Sequence, residues 1–140
     1  TMPEMTRFLL SLDRAVDTVF EAIRSKRRGC TYVPKVPAAN ITDVARALIG
    51  DKGNEIIYSG IRPGEKIHEI MVSEEECFRT IEENGYYVIL PVLPELREEN
   101  EPPPALTGEY SSRDNNISIE DLKALLADAS SEIQRFIAGN

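Results

Sequence analysis

The chain has 140 residues and a formal net charge of −8, with 41% hydrophobic and 29% charged residues. That is the composition of a soluble globular domain, with enough length for one core without disulfide staples. A nucleic-acid binder, or a protein docked on anionic lipid, needs a basic surface, so the acidic balance argues against both.

From the amino end, Leu12, Val16, Val19, Phe20 and Ile23 recur at i, i+4, i+7, i+8 and i+11 and predict an apolar helical stripe over residues 11–28. Ser11 is placed to cap this helix and Asp13 lies in its first turn. Arg24, Lys26, Arg27 and Arg28 gather at its end before Gly29, where the helix dipole favours cations, and read as charges on a solvated face. Cys30 to Val33 predicts a short strand stopped by Pro34 and Pro37. Asn40 caps a second helix with Val44, Ala45 and Leu48 inward and Gly50 past its end. Residues 54–59 (NEIIYS) are a second strand candidate. A third helix is expected after Pro63-Gly64, burying Ile67, Ile70 and Met71. Ser73-Glu74-Glu75-Glu76 fits a capping box for a helix carrying Phe78 and Ile81. Residues 86–90 (YYVIL) predict a strand ended by Pro91, and residues 95–104 (ELREENEPPP) an exposed loop. Ser118 caps a last helix with Asp121 at its third position and Leu122, Leu125 and Leu126 inward, a face that Ile133, Phe136 and Ile137 continue. Helices alternating with short strands indicate an α/β fold.

Cys30 and Cys77 form no Cys-x-x-Cys pair and read as buried thiols in a reducing cytosol. His68 is the only histidine, which leaves too few soft ligands for zinc; it reads as a packed or capping residue on the third helix. The longest apolar run, VILPVLP at 88–94, is far short of a membrane span. The start lacks the pattern of a signal peptide. The chain enters a periodic helix so soon that it reads as cut from something longer.

Familiar motifs are absent. Gly60-Ile61-Arg62-Pro63-Gly64-Glu65-Lys66 is G-x-x-x-G-x-K, not the G-x-x-x-x-G-K-[ST] of a Walker A loop. No tyrosine is followed by lysine four positions on, as the catalytic pair of short-chain dehydrogenases requires, and no G-x-G-x-x-G occurs. Two arginines stand out because they sit in irregular sequence: Arg7 before the first helix, and Arg62 between Gly60 and Gly64. Glycines let backbone approach a ligand closely, and a guanidinium held there offers a planar charged fork for phosphate. Glu65 can accept hydrogen bonds from a vicinal diol. Read from the residues alone, surface salt bridges remain the alternative for both arginines.

Met5-Thr6-Arg7-Phe8, Tyr32-Val33-Pro34-Lys35-Val36-Pro37, the run from Gly60 through Arg62-Pro63-Gly64-Glu65-Lys66-Ile67-His68-Glu69, and Gly108-Glu109-Tyr110-Ser111-Ser112-Arg113-Asp114-Asn115-Asn116 follow one another along nearly the whole chain. In these stretches it resembles the carboxy-terminal portion of bacterial inverting UDP-N-acetylglucosamine 4,6-dehydratases, extended short-chain dehydrogenase/reductases of polysaccharide and nucleotide-sugar biosynthesis. The resemblance implies a cytoplasmic, homo-oligomeric protein that binds a UDP-N-acetylhexosamine. It implies that residues 1–140 are the substrate-binding lobe of an extended Rossmann-type enzyme, short strands with packed helices, the Rossmann core being absent. Thr6 and Arg7 would border the sugar-nucleotide site, with Arg7 on the diphosphate. Arg62 would make a second diphosphate or uridine contact and Glu65 would hold the ribose hydroxyls. Tyr110, Ser112, Asn115 and Asn116 fall in a segment that returns toward the substrate, or else form an Asx/Ser-rich turn before the last helix. In the family, hydride passes from C4 of the sugar to NADP, water leaves across C5–C6, and the hydride returns to C6. The groups that do this precede the matched region, so the chain is expected to bind no cofactor, to have no catalytic residues and to be inactive alone. Strands that would pair with the missing lobe should leave an exposed apolar face, and hence self-association.

Two other readings remain. One is a stand-alone nucleotide-sugar-binding module. The other is an interaction domain whose residues 65–101, with 11 acidic and 3 basic side chains, contact a basic partner.

Overall fold

The structure, a computed structural model, describes residues 1–138, with side chains described through residue 129. Strand β1 (Thr6–Phe8) leads into helix α1 (Leu12–Arg24), then β2 (Thr31–Pro34), β3 (Ala38–Asn40) and α2 (Ile41–Ile49). A long irregular stretch follows before β4 (Ile70–Val72), α3 (Glu74–Cys77), β5 (Thr80–Glu83) and β6 (Tyr86–Ile89). After a single 3-10 turn, the chain closes with β7 (Tyr110–Ser111) and α4 (Ile119–Ala138). The mixed α/β reading with short strands holds.

Local signals placed the helix starts. The Ser11 side chain accepts from the Arg14 N–H, Asn40 accepts from the Thr42 N–H, and the Ser118 hydroxyl accepts from the Asp121 N–H. Ser73 and Glu76 form the expected capping box. The helix it opens is a single turn, however, and the chain then becomes β5. Ile81 is therefore a buried strand residue, while Phe78 is exposed. The missed signal is Asn84-Gly85: both have positive φ, 51° and 80°, the geometry of a two-residue type I′ hairpin turn joining β5 to β6.

The strands pair antiparallel as β1 with β3, as β2-β6-β5, and as β4 with β7. β6 is the centre of the core. Ile89 and Tyr87 pack on one face with Val33, Val72, Cys77 and Tyr110, whereas Tyr86 and Val88 pack on the other with Ile81 and Leu90. The alternation of a strand thus serves two apolar clusters at once.

Several expectations are corrected. The α1 stripe is not buried: Leu12 is 78% and Ile23 72% exposed. The inward face is the polar one, where the Arg14 guanidinium lies 5.1 Å from the Tyr86 ring centroid and the Thr18 hydroxyl donates to the Arg14 carbonyl. Periodicity defines a stripe; only a neighbour decides whether it is covered, and among the described residues none covers this one. Likewise Leu48 and Leu125 are exposed. Residues 54–59 form no strand, and Ile57 is 82% exposed, because a strand needs a ladder partner. Nor do residues 65–71 form a helix; Ile67 and Ile70 are exposed and Ile70 begins β4. The expected contribution of Ile133, Phe136 and Ile137 lies outside the described side chains.

Arg27 is corrected as well. Instead of lying on a solvated helix end, its guanidinium is 13% exposed and donates to Glu83 at 2.7 Å and Glu101 at 2.8 Å, with Glu98 at 3.5 Å. Burial works against its charge, but the bonds to Glu83 and Glu101 outweigh that and raise its pKa. This pins the proline-rich stretch after β6 to the turn after α1.

Candidate functional site

β1 is where distant parts of the chain meet. Its Thr6 N–H donates to the Ile67 carbonyl at 3.0 Å, and the Ala38 N–H of β3 donates to the Asn115 carbonyl at 2.8 Å. The Ser112 N–H donates to the Glu69 carbonyl at 2.8 Å, and the Glu69 N–H returns a bond to the Ser112 hydroxyl at 2.9 Å. Segments near residues 6, 68 and 112 are therefore stitched together by backbone bonds, not merely adjacent.

Side chains meet at that seam. The Thr6 hydroxyl is 2.7 Å from the Ser112 hydroxyl and 2.8 Å from Nδ1 of His68. Thr6 and Ser112 are buried, at 4% and 0% exposure. Arg7 donates from Nη1 to the Thr6 carbonyl at 2.7 Å and the Ile67 carbonyl at 3.3 Å, and its Nε stands 3.6 Å from Glu69. Sequence reasoning passed over His68 and Glu69 as site residues; their place inside the matched run after Glu65 was the available signal.

The Arg62–Glu65 loop has a defined geometry. Pro63 stands at i+1, Gly64 has φ 85°, and the Glu65 N–H donates to the Arg62 carbonyl at 3.0 Å, which makes a type II turn. Glu65 folds back so that its carboxylate accepts from the Arg62 N–H at 2.9 Å. That backbone bond first, and then the charges of the amino terminus, Arg62 and Arg7, hold the Glu65 carboxyl below its ordinary value against slight desolvation. The Arg62 guanidinium is exposed and makes no hydrogen bond or ion pair among the described residues.

The remaining residues singled out in the sequence are bound locally. Tyr110 is buried in the core, and its hydroxyl accepts from the Val36 N–H at 3.0 Å and donates to the Val36 carbonyl at 2.9 Å. Burial pushes its pKa up. Asn115 donates its amide to the Ser111 carbonyl and Asn116 donates to the Arg113 carbonyl, each at 2.8 Å. Both shape the turn before α4.

The groups gathered at this seam are the Arg7 guanidinium, the Glu69 carboxylate and a hydroxyl–imidazole chain, with the Arg62 guanidinium on the turn that precedes it. A dinucleotide cradle is a different construction, in which a parallel strand enters a helix through a glycine-rich turn. Here the ladders among the described residues are antiparallel, and the helices are entered through Ser11, Asn40, Ser73 and Ser118. No described helix is long and apolar enough to cross a membrane.

Comparison with known proteins supports the family resemblance. The sequence profile of the polysaccharide biosynthesis protein family matches residues 1–91, and the chain belongs to that family. It is 39% identical over 101 residues, 72% of its length, to a UDP-N-acetylglucosamine 4,6-dehydratase (inverting) of Campylobacter jejuni subsp. jejuni serotype O:2, of which it covers 30%. It is 38% identical over 135 residues, 90% of its length, to a UDP-glucose 4-epimerase of Rickettsia felis, of which it covers 39%. Among solved structures, that of Pen from Bacillus thuringiensis superposes with a TM-score of 0.79 at 28% identity, over 93% of this chain and 40% of that one. The chain thus spans 30% to 39% of the length of these curated relatives.

Proposed function

We propose that this chain is the UDP-sugar-binding, carboxy-terminal part of an NADP-dependent nucleotide-sugar 4,6-dehydratase or epimerase, and that it does not turn over substrate alone. The observation that carries this is the convergence of residues 6–7, 67–69 and 112 from three stretches of the chain, directly after the turn that holds Arg62 and Glu65. A UDP diphosphate carries about two negative charges, and Arg7 and Arg62 supply two permanent positive ones beside it. Glu65, kept ionised, accepts from ribose hydroxyls. Ser112 supports Thr6 at the seam, while Tyr110, Asn115 and Asn116 act by holding β7 and the following turn in place. NADP and the proton- and hydride-transferring groups are assigned to the part of the enzyme outside these residues.

Calorimetric titration with UDP tests the reading. A saturable response that weakens with salt is expected; a chain folded by circular dichroism that shows none refutes it. Reading the coding sequence upstream for G-x-G-x-x-G and Tyr-x-x-x-Lys separates an enzyme part from a stand-alone binding module. The relatives divide between dehydratase and epimerase, so product analysis with UDP-N-acetylglucosamine on the longer protein decides the reaction. The exposed apolar residues of α1 support self-association, and the protein is assigned to the cytoplasm with its biosynthetic relatives. A concentration-dependent sedimentation coefficient is expected, and an ideal monomer would count against it.

A further inference from the structure

His68 is the only histidine in the chain. Its half-buried ring contacts Thr6 through Nδ1, while Nε2 has no hydrogen-bond partner among the described residues. We infer that His68 is a ligand-positioning residue whose Nε2–H donates to an oxygen of a bound nucleoside diphosphate. This rests on the function proposed above.

The Glu69 N–H donates to the Ser112 hydroxyl at 2.9 Å. Ser112 then has one proton to place, with the Thr6 hydroxyl at 2.7 Å and the Thr6 carbonyl at 3.3 Å. That carbonyl already accepts the Arg7 guanidinium at 2.7 Å, so the closer Thr6 hydroxyl is the better acceptor for the Ser112 proton, which directs the Thr6 proton to Nδ1 of His68 at 2.8 Å. In that arrangement Nδ1 accepts and the ring carries its proton on Nε2. The buried hydroxyls of Thr6 and Ser112 thus leave this imidazole a donor at Nε2.

The adjacent groups fit an anionic ligand. Arg7 donates to the carbonyl of Ile67, the residue before His68, and Glu65, three positions away, closes the turn that carries Arg62. A ring N–H donor beside the Arg7 guanidinium adds direction to its charge.

The test uses the full chain and UDP. In the free protein above the titration range of histidine, long-range proton–nitrogen correlation spectra should show Nε2 protonated and Nδ1 bare. UDP should shift the Nε2–H signal. His68→Gln places an amide donor near the Nε2 position and should bind UDP within a factor of about three of wild type. His68→Asn keeps only the Nδ1-side contact and should lose about tenfold, the worth of one hydrogen bond to a charged group. Both variants should keep the wild-type melting temperature within a few degrees. UDP binding accompanied by an Nδ1–H tautomer, an unmoved Nε2 signal, or equal affinities for the two variants overturns the inference alone. A wild-type chain that binds no UDP overturns the proposed function and this inference with it.

Discussion

Arg7 and Arg62 are proposed to share one ligand, yet their surroundings differ, and replacing each by alanine separates binding from folding. Arg7 donates to the Thr6 carbonyl at 2.7 Å and the Ile67 carbonyl at 3.3 Å, and its side chain is 26% exposed. Arg62 is exposed and has no such side-chain bonds among the described residues. A hydrogen bond to a charged group is worth about 1.5–3 kcal/mol, so loss of either diphosphate contact should weaken UDP binding about ten- to a hundredfold. Stability should divide the two. Arg7→Ala removes a charged donor from two backbone carbonyls, which among the described residues keep only the Ser112 hydroxyl at 3.3 Å and the Thr6 N–H at 3.0 Å, and in this partly solvated place that costs about 1–2 kcal/mol. For a domain of this size that lowers the melting temperature by about 3–6 °C. Arg62→Ala should leave it unchanged within about 0.5 kcal/mol, as for a surface substitution. Calorimetry with UDP and differential scanning calorimetry on both variants read the two quantities. Unchanged affinity in Arg62→Ala, or equal destabilisation by both changes, would refute the reasoning.

Other substitutions probe the scaffold. Arg27→Met leaves Glu101 uncompensated while Glu83 and Glu98, at 34% and 62% exposure, rehydrate; since breaking a buried pair costs about 3–5 kcal/mol, a loss of about 2–3 kcal/mol is expected. Urea unfolding at unchanged slope measures it, and a loss below about 0.5 kcal/mol would show that the cluster holds nothing. Gly64→Ala forces a side chain onto φ 85° with nothing within 4 Å to clash, so it should cost about 1 kcal/mol by backbone strain alone. It should also weaken UDP binding, and wild-type affinity would show that the turn does not position Arg62. The lowered pKa of Glu65 implies a stability contribution that is present above the ordinary carboxylate value of about 4.3 and lost as pH falls through the lowered folded value. Thermal midpoints of wild type should therefore fall more on acidification than those of Glu65→Gln; parallel curves would exclude the contribution.

The helix starts were legible because capping is local. Ser11, Asn40, Ser73 with Glu76, and Ser118 each satisfy N–H groups within three residues of themselves, and no tertiary partner can change that spacing. The strand at 86–89 was legible from its β-branched and aromatic run. Where elements ended was less visible. The capping box at Ser73 drew the helical reading onward over Ile81, although Asn84-Gly85 already marked a hairpin that required residues 80–83 to be its first strand.

For the candidate site, the residue types were readable and the relationships were not. Arg62-Pro63-Gly64-Glu65 announces a turn by its own composition, since proline presets φ and only glycine sits comfortably at positive φ. By contrast, the contacts of Thr6 with His68 and Ser112 span 62 and 106 residues, and those of Arg27 with Glu83 and Glu101 span 56 and 74. No periodicity encodes such pairs. The first depend on β1, β4 and β7 being brought to one seam and the second on β5 and the stretch after β6 closing over the end of α1, which only the assembled core decides. The same holds for α1, whose apolar stripe is determined by spacing while its exposure is determined by what packs beside it. The sequence by itself thus determined caps, turns and the family to which the chain belongs, because those are local or linear properties. Tertiary structure decided which arginine is structural, which histidine atom Thr6 engages, and which apolar face stands uncovered, because burial and charge pairing exist only between segments that folding has brought together.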